Sequence, residues 1–289
     1  MAMNDYAEQI IADLLLERTG QELTDARRWR IGSALSGLFR ERGLDNVQQL
    51  VCLLSEQPDD ILARETVEAL LNNETYFFRD RPMFDQLAND VLPRIAKRNE
   101  ASKRISIWSA GCSTGQEAVT LAMIITDQAL RWKGWTIDIL ATDVSGKAIK
   151  SARDARYTQF EIQRGLGVSQ MLTYFEETAQ GWQPRREIRD MISFRQQNLL
   201  EPIPSSRKFD LVLCRNVLLY FCADTRRKAF DRLAQAMAPH GWLMLGAGET
   251  SVGQTDAFIP DRKRQGLYRP FGADQDDGAG VQTDVAAVR

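Results

Sequence analysis

The chain has 289 residues and a mass of 32.8 kDa, a length typical of about two domains of ~100 to 200 residues each. Its 37 Lys and Arg residues oppose 39 Asp and Glu residues, so a formal net charge of −2 excludes a global basic field for nucleic acid or an anionic membrane. We therefore expect no nucleic-acid partner, and any charged docking surface must be local.

The apolar runs are too short for a membrane span. FDLVLC and GWLMLGAG fall well below the ~18 residues that cross a bilayer, and Asp5 and Glu8 interrupt any signal-peptide start. These features predict a cytoplasmic protein with no direct membrane insertion.

Cysteine and histidine are too sparse for a conventional metal site. The four cysteines form no CxxC pair, and His240 is the only histidine. This excludes His-based zinc sites and makes a His-dependent catalytic triad improbable, so we expect no metal.

The first seventy residues have apolar positions at helical spacing, which predicts a helical bundle with stops at Gly20 and Gly43. Thr24 is a candidate cap for the second helix. A solvated helix surface and a site for an acidic partner both fit the basic side chains of that helix, and spacing alone favours the former. These side chains are Arg27, Arg28, Arg30, Arg40 and Arg42.

From residue 105 onward, short apolar runs alternate with helical segments. The runs ISIWS, TIDILA, MISFR, FDLVLC and GWLMLGA predict a parallel sheet, with covering helices from about Gly115 and Asp224. Residues 157–190 interrupt this alternation and are predicted to be an insertion in which WQPR and EIRD pair as a hairpin. The tail 272–289 has almost no large apolar side chain and is predicted to be disordered.

A candidate ligand site follows the first strand, in ISIWSAGCSTGQEA. Gly111 and Gly115 let the backbone approach a ligand at the N-terminus of the next helix, although a structural turn fits this string equally well. The second strand ends in Asp143, whose carboxylate can accept hydrogen bonds from two ribose hydroxyls; the alternative is helix capping, for which Ser145 also competes. The turn lacks the lysine of a phosphate-binding loop, which favours a nucleoside that needs no phosphate.

Polar residues at further strand ends point to the same edge of the sheet. Asn198 follows MISFR, and Arg215 and Asn216 follow FDLVLC. A single asparagine at such a place is usually a turn residue, but the repetition along one edge indicates a binding crevice.

Five strings together resemble the CheR-type chemoreceptor glutamate O-methyltransferases: NNETYFFRD, WSAGCSTGQEA, ATDVS, QQNLL and FDLVLCRNVLLYF. The resemblance spans about residues 5–270. It implies a Rossmann-like, S-adenosylmethionine-dependent α/β methyltransferase sheet (81–271) with an N-terminal all-α helical domain (1–80) and a small β insertion.

The resemblance also implies the site residues. Tyr220 matches a tyrosine that faces the reacting methyl group, although an aromatic residue filling the corner between sheet and helix is an equal alternative from spacing. The implied cofactor contacts are Asn73, Thr75, Arg79, Glu117, Asp143, Asn198, Leu199, Arg215 and Asn216.

The chemistry of the implied reaction suits this set. A glutamate carboxylate is ionised at neutral pH, since its reference pKa is ~4.3, so methyl transfer needs no general base. Charge is lost on the way to the transition state, which favours a neutral donor such as Tyr220 over an arginine at the incoming carboxylate. Arg79 is then better suited to clamp the carboxylate of the cofactor.

The implied partner is the acidic cytoplasmic helical bundle of a chemoreceptor, for which the five arginines of the second helix would be the docking side chains; we expect a monomer. Two departures matter. Gln116 stands where the family often has a glutamate, and the insertion is a few residues short. The second departure predicts no dependence on a receptor C-terminal pentapeptide.

Two other functions remain open from the sequence. One is a non-catalytic S-adenosylmethionine-binding sensor, which retention of Tyr220, Arg215 and Asn216 disfavours. The other is a methyltransferase for a different acceptor; nitrogen acceptors are disfavoured because the (D/N)PPY loop is missing at CRNV.

Overall fold

A computed structural model describes residues 2–56, 60–202 and 208–272. Its N-terminal region is a helical bundle with its own apolar core, in which Ile11, Leu35 and Leu50 are fully buried. The predicted stops are confirmed: the first helix ends before Gly20 and the third before Gly43, and both glycines have positive φ. The helices are α1 (Ala2–Thr19), α2 (Asp25–Arg28), α3 (Arg30–Arg42), α4 (Val47–Glu56) and α5 (Asp60–Leu70).

The arginine-bearing helix differs from the prediction in two details. It is divided at Trp29 into the short α2 and the longer α3. Thr24 occupies the N-cap position of α2, but its side chain forms no capping hydrogen bond, so the predicted cap is wrong. Trp29 itself is 77% exposed.

The second region is a seven-stranded sheet in the order β5-β2-β1-β6-β7-β9-β8. The first five of these strands are parallel, whereas β9 runs antiparallel to β7, and β8 to β9. Its strands are β1 (Arg104–Ala110), β2 (Thr136–Asp143), β5 (Ile192–Gln196), β6 (Phe209–Cys214), β7 (Met237–Leu245), β8 (Phe258–Pro260) and β9 (Leu267–Pro270).

Helices cover both faces of this sheet because alternate strand residues point to opposite sides. In β1, Ile105 and Ile107 join one core and Trp108 and Ala110 the other. A π-helical turn at 87–91 joins the first two of the helices, which are α6 (Arg81–Gln86), α7 (Leu92–Arg98), α8 (Gln116–Asp127), α9 (Gly146–Asp154) and α13 (Ala223–Ala236).

The insertion contains a hairpin, but the predicted pairing is wrong. Strand β3 (Phe175–Thr178) pairs antiparallel with β4 (Gly181–Pro184), while the EIRD string forms the helical turn α12 (Arg186–Arg189). Two residues between the strands suffice for a tight hairpin turn, so the local FEET and GWQP segments pair with each other. The insertion also holds α10 (Gln159–Gln163) and α11 (Val168–Tyr174).

The helical bundle contacts the sheet through a carboxylate. Glu68 of α5 accepts hydrogen bonds from the Ser145 hydroxyl and from the backbone amides of Gly146 and Lys147, at the N-terminus of α9. A negative charge is favourable there because the first amides of a helix lack intrahelical partners. The bundle is thereby fixed beside the end of β2.

Among the described residues, no helix is both long and apolar enough to cross a membrane. The predicted tail lies outside these residues from position 273 onward. The division at 80/81 and the bounds 157–190 of the insertion remain predictions.

Candidate active site

A crevice lies at the carboxyl ends of the parallel strands, where the strand order reverses between β1 and β6. Doubly wound sheets bind ligands at this kind of reversal. All ten side chains that the sequence assigned to the cofactor and the methyl group line it: Asn73, Thr75, Arg79, Glu117, Asp143, Asn198, Leu199, Arg215, Asn216 and Tyr220.

Asp143 is buried at the end of β2, and each of its carboxylate oxygens accepts one backbone hydrogen bond. The amide of Ser113 donates to Oδ2 at 2.8 Å, and that of Ser145 donates to Oδ1 at 2.9 Å. Burial raises the pKa of Asp143, although these two hydrogen bonds oppose the rise. Ser145 caps α9 by accepting from the Ala148 amide, so Asp143 is not needed for that role. One lone pair on each Asp143 oxygen is left for a ligand.

The glycine turn between β1 and α8 brings the backbone close to a neighbouring loop. Gly111 has φ +77°, and a Cβ atom there would lie 2.3 Å from a Val217 methyl carbon, so a larger residue does not fit. Ser113 and Asn216 both border the crevice with φ near +51° and +60°. Left-handed non-glycine residues of this kind are often found at functional sites.

Arg215 lies beneath the crevice as the centre of a buried ionic network. Its guanidinium donates to Glu117 at 3.0 Å, to Asp80 at 2.7 Å and to the Arg79 carbonyl at 2.7 Å. The other Glu117 oxygen accepts from the Ser109 hydroxyl. The side chain of Arg215 is only 2% exposed, so its observed role is to orient Glu117 and the 79–80 backbone.

Two amide oxygens in the crevice wall have no hydrogen-bond partner among the described residues. They are Oε1 of Gln197 and Oδ1 of Asn216, and both atoms are buried. A buried polar atom without a partner is costly, which indicates a ligand that donates hydrogen bonds here.

Tyr220 ends a single 3₁₀ turn (Leu218–Tyr220) after β6 and is half-buried. Its hydroxyl oxygen accepts a hydrogen bond from Nδ2 of Asn72 at 2.8 Å. Because that bond uses a lone pair of the oxygen, the hydroxyl proton is available to an incoming acceptor.

Glu249 shapes this turn, and the sequence analysis missed it. Its Oε1 accepts from the amides of Val217, Leu218 and Leu219 at 2.9 to 3.3 Å, and its Oε2 from those of Asn216 and Gly246. Asn72 and Gln197 were also missed, although both lie in strings that the resemblance used; no spacing signal marks Glu249.

Glu249→Ala is expected to lower the free energy of unfolding by about 2 to 4 kcal/mol, since several partly buried amides lose a charged acceptor. The loss of unfolding free energy in Glu249→Gln should lie between zero and that of Glu249→Ala, because glutamine keeps one acceptor oxygen but places its amino group against two donors. Urea unfolding measures both, with the exposed Glu100→Ala as control. A change equal to that of the control would contradict the assignment.

The five arginines predicted to share a docking surface have different surroundings. Arg27 lies over the Tyr220 ring, Arg28 pairs with Asp25 and donates to Gln9, and Arg42 pairs with Glu65. Arg30 and Arg40 form no salt bridge within the part of the chain that the structure describes. The predicted set is therefore not one uniform surface.

Two of the cysteines are fully buried. Burial raises the pKa of Cys112 and Cys214 well above the usual value, so both thiols stay protonated. The crevice is lined instead by carboxylates, amides, hydroxyls, the guanidinium groups of Arg79 and Arg215, and the phenols of Tyr76 and Tyr220.

A mostly parallel sheet with a glycine turn after the first strand and a carboxylate at the end of the next defines a Rossmann-like nucleoside-binding fold. Residues 73–266 match the family described as CheR methyltransferase, SAM binding domain. The chain belongs to this family and is an S-adenosylmethionine-dependent methyltransferase, as the resemblance predicted.

Curated relatives cover most of the chain. Chemotaxis protein methyltransferase 1 of Pseudomonas aeruginosa is 36% identical over 241 residues, which are 82% of this chain and 87% of the relative. Chemotaxis protein methyltransferase Cher2 of Pseudomonas putida is 34% identical over 240 residues, with the same coverage. A chemotaxis protein methyltransferase of Vibrio parahaemolyticus is 32% identical over 271 residues, 92% of this chain and 97% of the relative.

The crevice fits S-adenosylmethionine. The cofactor has an adenine amino group and two ribose hydroxyls as donors, and the crevice supplies two unpartnered amide oxygens and a buried carboxylate as acceptors. Donors of the ligand thus match acceptors of the protein without a phosphate-binding element.

Proposed function

We propose that the protein transfers the methyl group of S-adenosylmethionine to glutamate side-chain carboxylates on the cytoplasmic helices of chemoreceptors, giving glutamate methyl esters in chemotaxis adaptation. The observation that carries this proposal is a single crevice that unites a ribose-type carboxylate with a phenol whose proton is available. The names of the curated relatives support the chemotaxis assignment. A receptor substrate of this kind also places the enzyme in the cytoplasm.

The cofactor would be held along the crevice by groups of known position. Asp143, which lines the crevice, would accept from the ribose hydroxyls, and Asn198, Leu199 and the unpartnered oxygen of Gln197 would hold the adenine. Arg79 and Glu117 take the charged carboxylate and amino groups of the methionine part, with Asn73, Thr75 and Asn216 completing the wall. When bound, S-adenosylmethionine supplies an electrophilic methyl carbon.

The protein's own task is orientation. A carboxylate needs no base, and holding the reacting atoms in line can lower the barrier by up to ~7 to 11 kcal/mol. The Tyr220 hydroxyl donates a hydrogen bond to the incoming carboxylate and so fixes its direction, and the phenol keeps its proton. A neutral donor suits this step because it stabilises the ionised ground state less than an arginine would.

Docking of the receptor would use the exposed surface at the junction of α2 and α3. Trp29 is 77% exposed there, and Arg30 follows it without an ion pair among the described residues. Arg30 is half-buried beside the exposed indole, and tryptophan and arginine side chains are the usual energetic centres of protein interfaces. An acidic helical bundle would complement the arginine and cover the indole.

Trp29→Ala and Arg30→Glu are each expected to raise the Michaelis constant for receptor fragments about tenfold, with unchanged affinity for S-adenosylhomocysteine. The effect of Arg30→Glu should shrink at high salt because salt screens charge attraction at the protein surface, whereas that of Trp29→Ala should persist. Lys103→Glu, far along the chain on a turn before β1, is the matched charge control. Unchanged receptor kinetics in both variants would remove this surface from docking.

The sequence predicts that methylation does not depend on a receptor C-terminal pentapeptide, and this stays a prediction. The insertion hairpin has only two four-residue strands. We expect receptor fragments with and without a C-terminal pentapeptide to be methylated at equal rates; micromolar binding of the peptide in calorimetry would contradict this. We also expect a monomer.

The experiment that tests the function is incubation with methyl-labelled cofactor and receptor fragments, followed by mild alkali. Glutamate methyl esters release volatile labelled methanol under these conditions, whereas N-methyl groups do not. A non-catalytic sensor would bind the cofactor and label nothing, and a nitrogen methyltransferase would give alkali-stable label. Either of these results would refute the proposal.

A further inference from the structure

The turn that carries Tyr220 is bound to the N-terminal helical region through its backbone. Gln21 forms an isolated antiparallel bridge with Phe221, and the amide of Glu22 donates to the Tyr220 carbonyl at 2.7 Å. Gly20, just before Gln21, has φ +77° and packs against Leu200, where a Cβ atom would lie 2.4 Å from a methyl carbon. The segment between α1 and α2 is therefore part of the wall around Tyr220.

The Tyr220 side chain is held at two places as well. Asn72 binds its hydroxyl oxygen, and the guanidinium carbon of Arg27 lies 4.9 Å from the centre of its ring. A guanidinium over an aromatic face within ~6 Å is a cation–π contact. The two contacts fix the ring face and the hydroxyl, so together they restrict both side-chain torsions.

Arg27 differs in this respect from the other arginines of the α2–α3 region. Arg28 is bound to Asp25 and Gln9, and Arg42 to Glu65, all within the helical bundle. Among the residues that the structure describes, Arg27 is the one of these five arginines whose guanidinium lies over an aromatic ring of the crevice.

We propose that Arg27 is a positioning residue of the methyl-transfer site, which acts through Tyr220, and not primarily a docking residue. This rests on the proposed function, because it assumes that the Tyr220 hydroxyl directs the incoming carboxylate. Without the guanidinium, the Tyr220 ring can leave the orientation in which its hydroxyl contacts Asn72. The hydroxyl then directs the bound carboxylate less often, and turnover falls.

The first test separates turnover from affinity. Arg27→Ala should lower kcat about fivefold to tenfold while the Michaelis constant for receptor and the affinity for S-adenosylhomocysteine stay within about twofold. Arg27→Lys should recover part of kcat, because an ammonium also binds an aromatic face but lacks the planar stack. Arg30→Ala is the matched control and should raise the Michaelis constant with kcat unchanged.

The second test does not depend on activity. In protein labelled with ¹³C-tyrosine, the Tyr220 resonance is assigned by its absence in Tyr220→Phe. Arg27→Ala should shift or broaden it, and Arg30→Ala should leave it in place. In a Tyr220→Leu background, Arg27→Ala should cause no further loss of any residual kcat.

The proposal is overturned if Arg27→Ala behaves like Arg30→Ala, with a raised Michaelis constant, normal kcat and an unmoved Tyr220 signal. It is also overturned if Arg27→Ala has the same effect with and without Tyr220. Absence of alkali-labile label in the wild-type protein would instead refute the proposed function, so the two failures are distinguishable.

Discussion

Asp143→Ala is expected to weaken the binding of S-adenosylhomocysteine about a hundredfold or more. Hydrogen bonds to a charged group contribute about 1.5 to 3 kcal/mol each, and two from the ribose would be lost. The amides of Ser113 and Ser145 would lose their acceptor too, which loosens the glycine turn and the start of α9. Calorimetric titration measures the affinity.

The matched control is Asp138→Ala, in the same strand. Asp138 is exposed at the other end of β2 and pairs with Arg104 at 3.2 Å, so its loss should leave cofactor affinity unchanged. Equal effects of the two changes would mean that the loss at Asp143 comes from a damaged strand. Normal affinity in Asp143→Ala would remove the ribose role.

Acidification provides an independent check on Asp143. Burial raises the pKa of its carboxyl above the usual value near 3.8, so it is protonated at a higher pH than an exposed aspartate. Affinity for S-adenosylhomocysteine should be highest well above that raised pKa, where Asp143 is ionised, and should fall as the pH drops through it. The Asp143→Ala variant should lack this part of the pH dependence.

Tyr220→Phe is expected to lower kcat about tenfold to a hundredfold with affinity for S-adenosylhomocysteine within about twofold. The change removes only the hydroxyl, so the ring under Arg27 and the 3₁₀ turn held by Glu249 should persist. The carboxylate of the substrate would lose the donor that directs it. Single-turnover methylation measures this step apart from product release.

Tyr174→Phe is the control for the loss of a phenol. Tyr174 lies in the insertion, its hydroxyl donates to Asp127 of α8 at 2.8 Å, and it does not line the crevice, so kcat should be unchanged. A Tyr220→Phe variant with normal kcat would show that this residue only fills the corner beside the sheet. If Tyr220→Phe lost cofactor affinity by the same factor as kcat, the division of roles between Tyr220 and Asp143 would also be contradicted.

In the proposed mechanism, fixed carboxylates hold the cofactor and a neutral group directs the substrate. Glu117 and Asp143 are held by Arg215 and by backbone amides, so they are oriented before any ligand binds. Tyr220 is held from the other side by the helical region. The two regions of the chain therefore meet at the proposed position of the reaction.

Motif residues could be predicted because their signals are local. A strand followed by a glycine turn and a helix identified Gly111, and the carboxylate at the next strand end identified Asp143. The predicted hairpin paired the wrong segments. The actual pairing depends on a two-residue turn before WQPR, which the prediction did not recognise. Strands β8 and β9 were missed because runs of three and four residues give little periodicity.

The sequence by itself determined the alternating elements of the sheet, the helix stops at Gly20 and Gly43, and the set of crevice residues, since each follows from spacing or from a family motif. Only the tertiary structure decided what surrounds them: Asn72 contacts Tyr220 across 148 positions, and the guanidinium of Arg27 lies over the Tyr220 ring. Such contacts join segments far apart in the chain. Their geometry depends on how the helical bundle packs on the sheet, which no local pattern of residues encodes.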